Sequence, residues 1–351
     1  MRKRSLMKAV FLCIFTLFFI QNTSVFASVG SEAGQKKASG PIAIRNQLPL
    51  YLFYLQMVPD KAGVVDKKKF KANFDYTVSS ITVSAFTKQS SLYIVDIDME
   101  VSRLTFDMRY GIYDNLEVGL EIPYLSFSSG YLDNFIEAIE DGIGARTPRS
   151  REKQGSYEYD YTLRYNWQYL INQKGSVEGI GDMVLNLKYQ LLKEEGCFIP
   201  NLSLRTALKF PTADDDKLLG NGEYDYGLGI LIDKSFFNRL FLYLGANVMV
   251  IEKPESLEIL GIDNEFYSGV IGIEYFFTDR FSVVCQATGN TTPYSHSDTN
   301  PLDNEALDLG LGCHYRFKEK ENMSWRFAII ENYTAASSPD VSFHTGFTWE
   351  L

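Results

Sequence analysis

From Lys69 to the C-terminus the chain alternates, residue by residue, between apolar and polar side chains. Phe70, Ala72, Phe74, Tyr76 and Val78 are separated by Lys71, Asn73, Asp75, Thr77 and Ser79. Leu104, Phe106, Met108 and Tyr110 alternate with Arg103, Thr105, Asp107 and Arg109, and Leu116, Val118, Leu120 and Ile122 with Glu117, Gly119 and Glu121. A period of two puts successive side chains on opposite faces of a strand, and no helix sustains it. The pattern returns in residues 183–191, 202–210, 224–232, 240–250, 267–277, 281–287, 307–317, 325–329 and 341–351. That makes about twelve stretches, most near the nine to eleven residues with which a tilted strand crosses a membrane.

The connections between these stretches also alternate. Tyr113-Asp114-Asn115, Phe237-Asn238-Arg239 and Thr278-Asp279-Arg280 are short, as are residues 193–196 and 318–322. Residues 79–91, 127–179, 212–222, 252–264, 291–304 and 334–339 are longer and more polar. Short turns at one end and long loops at the other are the asymmetry of outer-membrane barrels, and a chain that starts and ends on the short side needs an even strand number. The expectation is an all-β fold: an antiparallel transmembrane β-barrel of about twelve strands, with short periplasmic turns, longer extracellular loops and both termini in the periplasm. The competing arrangement is a soluble sandwich or small barrel with its apolar face turned inward. Aromatic residues at strand ends, among them Tyr110, Tyr124, Tyr189, Tyr275, Phe277, Tyr315 and Trp349, favour the membrane, where such rings form girdles at headgroup level.

Composition agrees. Aromatics make up 14% of the 351 residues, yet mean hydropathy is only −0.13, so large rings are interleaved with polar residues. Residues 1–27 read as a cleaved signal peptide: Arg2, Lys3, Arg4 and Lys8 precede an apolar run from Ala9 to Ile20, and Val25 and Ala27 suit a cleavage site. Losing those four basic residues and no acidic ones takes the formal charge from −10 to −14, which speaks against a nucleic-acid partner. Cys197, Cys285 and Cys313 form neither a disulfide framework nor a zinc spacing. Residues 28–66 precede the alternation, and within them 41–59 mixes Pro, aromatic and aliphatic residues without a clean period. That stretch is either a periplasmic tail or a segment threaded into the lumen. Residues 67–351 form the barrel.

Several landmarks share an order that resembles a known family. Gly40-Pro41-Ile42-x-x-Arg45-Asn46-Gln47-x-Pro49-Leu50 precedes the first strand, and Arg109-Tyr110-Gly111-Ile112-Tyr113-Asp114-Asn115-Leu116-Glu117-Val118-Gly119 makes a tight hairpin. Gly179-Ile180-Gly181-Asp182, Lys209-Phe210-Pro211-Thr212 and Ser338-Pro339-Asp340-x-x-Phe343-His344 follow. The order resembles the uncharacterised Gram-negative outer-membrane family known as domain of unknown function 3187, with looser similarity to putative outer-membrane transporter barrels. The resemblance implies a membrane barrel and carries over no catalytic or binding residue. The terminal His344-x-Gly346-x-x-Trp349-x-Leu351 resembles the signal read by the outer-membrane insertion machinery, although it ends in Leu rather than Phe or Trp.

The polar face supplies the candidate lumen or solute-lining residues: Arg103, Asp107, Arg109, Glu117, Glu121, Lys188, Arg205, Lys209, Glu274, Asp308, Arg316, Arg326 and His344. Turned inward, this mixture either braces the wall as a salt-bridge network or lines a polar path. The expected activity is passage or binding of small solutes without a cofactor. A sealed structural or surface-interaction barrel is the alternative, and a lipid hydrolase built on His296-Ser297-Asp298 a remote one, since adjacent residues do not converge as a triad. Asp214-Asp215-Asp216 reads as a solvated loop tip that could hold Ca²⁺ or bridge lipopolysaccharide. Phe135, Ile136 and Ile139 within residues 132–143 stand near helical spacing in the longest loop. Outer-membrane lipid and lipopolysaccharide are the expected surroundings.

Overall fold

The structure, a computed structural model, describes residues 38–86, 93–130, 159–196, 198–254, 257, 260–294, 297, 299–334 and 337–351. The signal segment 1–27, the stretch 132–143, Cys197, His296 and Asp298 lie outside the described residues.

Fifteen strands follow in order: β1 Phe70–Phe86, β2 Tyr93–Tyr113, β3 Leu116–Ser128, β4 Asp160–Tyr165, β5 Gln168–Gln173, β6 Val177–Ile180, β7 Met183–Leu192 and β8 Asn201–Phe210. They continue as β9 Asp225–Phe236, β10 Leu240–Val250, β11 Glu265–Phe276, β12 Phe281–Asn290, β13 Ala306–Arg316, β14 Met323–Asn332 and β15 Val341–Glu350. Two one-turn segments, α1 Pro49–Leu52 and α2 Asn300–Asp303, are the α-helices among the described residues. β1, β2, β3 and β7 to β15 pair antiparallel in sequence and close into a 12-strand barrel. Closure joins β15 to β1 from Lys71↔Glu350 to Ser80↔Val341, and Phe70 and Leu351 exchange both backbone hydrogen bonds at 2.9 and 2.8 Å. A closed ladder leaves no unpaired edge, which is the condition for crossing hydrocarbon with strands.

The two faces separate by polarity. Phe74, Tyr76, Leu104, Leu187, Leu204, Leu228, Leu244 and Ile271 point outward and are exposed, whereas Asn73, Asp75, Arg103, Asp107, Glu121, Lys188, Arg205 and Glu274 point inward and are buried. A soluble β protein would bury the first set. This chain displays it, and a contiguous apolar exterior belongs against lipid.

One region departs from the sequence reading. Residues 79–91 were expected to be loop, but β1 runs on to Phe86 and β2 starts at Tyr93. The reason is a change of phase. Below Ser79 the outward positions of β1 are apolar; above it they become Ser80, Thr82 and Ser84, while Ile81 and Val83 turn inward. In β2 the inward set changes from Tyr93, Val95, Ile97, Met99 and Val101 to Arg103, Thr105 and Asp107. Such a ribbon has left the bilayer: water meets its outer face and a protein core its inner one. β4 extends it by pairing onto β2 and β5 onto β4, while β6 pairs onto β3; β4 and β5 lie within, and β6 at the end of, the expected loop 127–179.

Residues 38–65 run inside the barrel as a re-entrant segment, most of it buried. Its middle, Leu48 to Leu55, packs with the inward residues of upper β1 and β2, with Leu125, Phe127, Tyr161 and Leu163, and with Leu219, Leu257, Ile262 and Tyr294 from the long loops. This is the largest apolar cluster, at the extracellular end. Each Leu or Phe buried there contributes about 1.5–3 kcal/mol. The segment rejoins the wall at Gly111, where Lys68 N–H donates to the Gly111 carbonyl at 2.7 Å and Gly111 N–H to the Lys69 carbonyl at 3.1 Å. A Cβ at Gly111 would collide with the carbonyls of Val65 and Asp66. Gly111→Val is therefore expected to unfasten this crossing and destabilise the fold by about 1–3 kcal/mol. Limited proteolysis between residues 60 and 69 should cut the variant and spare the parent; equal resistance would contradict the packing argument.

Candidate functional site: the occupied lumen

Alternation aims every second side chain of a barrel strand at the lumen, so the site is a wall of charged and amide groups facing the re-entrant segment. The descending arm, residues 53–65, meets β2, β3, β7, β8 and β9. Phe53 offers its carbonyl to Lys209 Nζ at 2.8 Å, and Leu55 N–H donates to Asp225 at 2.8 Å. Arg205 holds the Val58 carbonyl at 2.7 Å. Asp60 accepts from Arg109 at 2.5 Å and from Lys188 at 3.0 Å. Ala62 N–H donates to Asp233 at 2.7 Å while Ser203 donates to the Ala62 carbonyl at 2.5 Å. Val65 N–H donates to Glu117 at 2.7 Å.

The other arm, residues 38–47, lies against the opposite wall. Ser39 and Gly40 N–H donate to Glu274 at 3.1 and 3.3 Å, His314 Nε2 stands 3.1 Å from the Gly40 carbonyl, and Ile42 N–H donates to Gln286 at 2.7 Å. Arg45 reaches across to Glu121 at 2.7 Å. The segment thus enters at the short-turn end, turns at α1 and returns. It has no regular ladder of its own, and the wall's side chains satisfy its backbone groups, the requirement for irregular chain at membrane depth.

The thirteen candidates fall into distinct places. Arg109, Glu117, Glu121, Lys188, Arg205, Lys209 and Glu274 hold the segment, through the contacts above. Arg103, Asp107, Arg326 and His344 brace the wall. Arg103 donates to Glu121 at 2.8 Å, and Asp107 accepts from Arg109 at 2.8 Å and Asn73 at 2.9 Å. Arg326 grips Asp75 through two hydrogen bonds of 2.7 and 2.6 Å. His344 contacts Thr77 at 3.0 Å and Asp75 at 3.2 Å. The Asp75–Arg326 pair fills the space a Cβ at Gly346 would need, which gives the glycine of the terminal motif a structural role. Arg316 sits half-buried at the short-turn end of β13, and Asp308 bonds Ser338 at 2.6 Å. Arg45, with Asn46 and Gln47, belongs to the stretch 41–59 read as a possible lumen segment; sequence reasoning missed Asp60, since nothing in an aperiodic stretch says which strand a side chain will meet. Gln286, Asn247 and Ser203 were also missed, though their place in the alternation put them on the inward face.

Asp60 belongs to the segment, not to a spanning strand. Burial alone would raise its carboxyl, but Arg109 and Lys188 outweigh it and hold the group well below the usual carboxylate range. A carboxylate depressed in the folded state adds stability above its ordinary value and loses it as pH falls through the folded one. Protection of the amides of residues 58–65, relative to their intrinsic exchange rates, is accordingly expected to fall as pH falls below about 4, and Asp60→Asn should remove most of that dependence.

Among the described residues no group of three or more His, Cys, Asp or Glu side chains stands close enough to hold a metal. Ser297 donates to Asp303 at 2.6 Å and pairs with Thr299 at 2.8 Å, so its hydroxyl is engaged at α2. Asp214 forms an exposed ion pair with Lys217 at 3.2 Å.

Fold and lumen together define an outer-membrane β-barrel protein of twelve strands whose interior is occupied by its own chain. The chain belongs to the family described as proteins of unknown function, DUF3187, whose profile it matches over residues 17–351. Among solved structures it is similar to the COG4313 outer membrane channel from Pseudomonas putida F1, with a TM-score of 0.54 and 12% identity, covering 84% of this chain and all of that one. The Pseudomonas putida toluene transporter TodX is a more distant likeness, with a TM-score of 0.34 and 10% identity over 81% of this chain and 89% of that one. The NanC porin is another, at 0.42 and 9% over 79% of this chain and 100% of that one. No curated protein matches the chain by sequence. At such identities the likeness concerns the fold.

Proposed function

We propose that this protein is a non-enzymatic outer-membrane channel for small solutes, exported by a cleaved signal, in which residues 38–65 act as a plug. The observation that carries the reading is the chemistry of the seat. The segment is held in the lower and middle lumen by hydrogen bonds and ion pairs to groups that water can rehydrate, not by a continuous apolar core. A segment that leaves and returns needs such a seat, because the empty seat must tolerate water. The barrel fold it shares with the COG4313 channel agrees with this reading. The terminal motif and the lipid-facing exterior fit insertion by the outer-membrane machinery into a lipopolysaccharide-containing membrane.

A disulfide latch tests it. In a background with the native cysteines replaced by serine, Ala62→Cys with Ser203→Cys joins plug to wall at a contact of 2.5 Å. Planar-bilayer recordings should show voltage-induced openings in the reduced protein and none once the latch is oxidised. Openings of equal frequency in both states would remove the plug from the gating step.

A further inference from the structure

The extracellular ribbon ends in a tip whose side chains neither the plug nor the barrel wall uses. β4 and β5 are joined by Asn166 and Trp167, both at positive φ, 46° and 68°. A two-residue turn of this kind favours Asn at its first place and Gly at its second. Trp167 holds the second place at a conformational cost, and it is 77% exposed. Asn166 and Gln168 beside it are exposed as well.

Arg164 stands two cross-strand pairs below the turn, opposite Tyr169. Its guanidinium lies 5.2 Å from the centre of the Tyr169 ring, which fixes its direction by a cation–π contact. Its Nε is buried with no hydrogen-bond partner. Asp160, the acid of the same strand, is taken up by Lys174 at 2.6 Å. Cross-strand partners share a face. Ile94, opposite Arg164, lies between the buried, inward Tyr93 and Val95, so Arg164 belongs to the outer face of the ribbon, away from the lumen.

The height of the tip says what surrounds it. β2 changes phase at Ser102–Arg103, where it leaves the bilayer, and Ile94 is about eight residues further out. At about 3.3 Å per residue and a tilt of about 40°, Arg164 stands roughly 20 Å above the hydrocarbon. The polar headgroup layer adds only about 5–7 Å on each side of a bilayer. Beyond it, on the outer face of an outer membrane, lies the saccharide of lipopolysaccharide.

We propose that the β4–β5 tip is a binding site for an anionic saccharide segment of the surrounding lipopolysaccharide, with a sugar ring stacked on Trp167 and a carboxylate or phosphate held by Arg164. The C–H groups of a sugar face suit the negative face of an aromatic ring. A planar guanidinium pairs with carboxylate or phosphate through two parallel hydrogen bonds, and a stacked one is already oriented for it. The amides of Asn166 and Gln168 supply donors and acceptors for hydroxyl groups. The site rests on the outer-membrane location and not on the plug or on conduction.

The test is isothermal titration calorimetry on the full-length protein, refolded into detergent from inclusion bodies and so free of lipopolysaccharide. The probe is lipid-free core oligosaccharide of lipopolysaccharide, with maltoheptaose as a neutral saccharide and trigalacturonate as an anionic one of no membrane origin. The core oligosaccharide should bind saturably and in preference to both. Arg164→Gln and Trp167→Gly should each weaken it at least about tenfold. Glycine suits the turn, so Trp167→Gly keeps the fold, which heat-modifiable mobility on gels checks for both variants. Absence of binding to the parent, or unchanged affinity in either folded variant, overturns the site. Equal binding of maltoheptaose overturns the role of the charge, and equal binding of trigalacturonate overturns the assignment to lipopolysaccharide.

Discussion

Excision of residues 38–65, with the flanking chain rejoined, is expected to yield a barrel that still inserts and conducts at least about tenfold more than the parent in planar bilayers. The physical case has two parts. First, the wall is complete without the segment: every ladder from β1 to β15 closes through strand–strand hydrogen bonds, and none passes through residues 38–65. Second, the groups left behind are not stranded. Arg109 keeps Asp107 and Glu117, Lys188 keeps Glu117, Arg103 keeps Glu121, and Lys209 keeps Asp182 and Asp225. Water can satisfy their remaining valences. An inserted, heat-modifiable barrel that stays silent would favour the sealed structural reading over the channel.

Removal of one charge should have the largest effect on stability. Lys209 is 2% exposed at its side chain and stands 3.0 Å from both Asp182 and Asp225; its ammonium also donates to Asn221 and to the Phe53 carbonyl. Lys209→Met keeps the aliphatic stem but leaves two buried carboxylates facing each other without a cation. Breaking a buried pair from one side costs about 3–5 kcal/mol, most of it the unpaired charge. Urea unfolding followed by gel mobility should register a loss of that size. The double variant Lys209→Met with Asp225→Asn should recover part of it, because one of the two stranded charges is gone. A loss under about 1 kcal/mol would mean that water reaches the cluster and screens it.

Lys209 also illustrates how much could be read in advance. Its place in the alternation marked it as inward-facing, together with Arg205 and Asp225. That it ties the plug's turn to β8 depends on the third dimension, since Phe53 is 156 positions away. The extension of β1 and β2 is a different case. The phase change at Ser79–Ser80 and at Ser102–Arg103 is present in the residues, but alternation in a single phase reads the region as loop. A strand that leaves the membrane reverses the polarity of its two faces without ceasing to be a strand.

The sequence by itself determined the ladder: period two sets the strands, the loop asymmetry sets their sidedness, and lipid fixes which face is apolar. Those are local or nearest-neighbour rules, and each acts within one strand and its turn. The interior was decided by the tertiary structure alone. Residues 38–65 carry no period, so their path follows from the empty hydrogen-bonding groups that a closed wall presents from all sides at once. Only closure brings Arg109, Lys188 and Asp60 to one point.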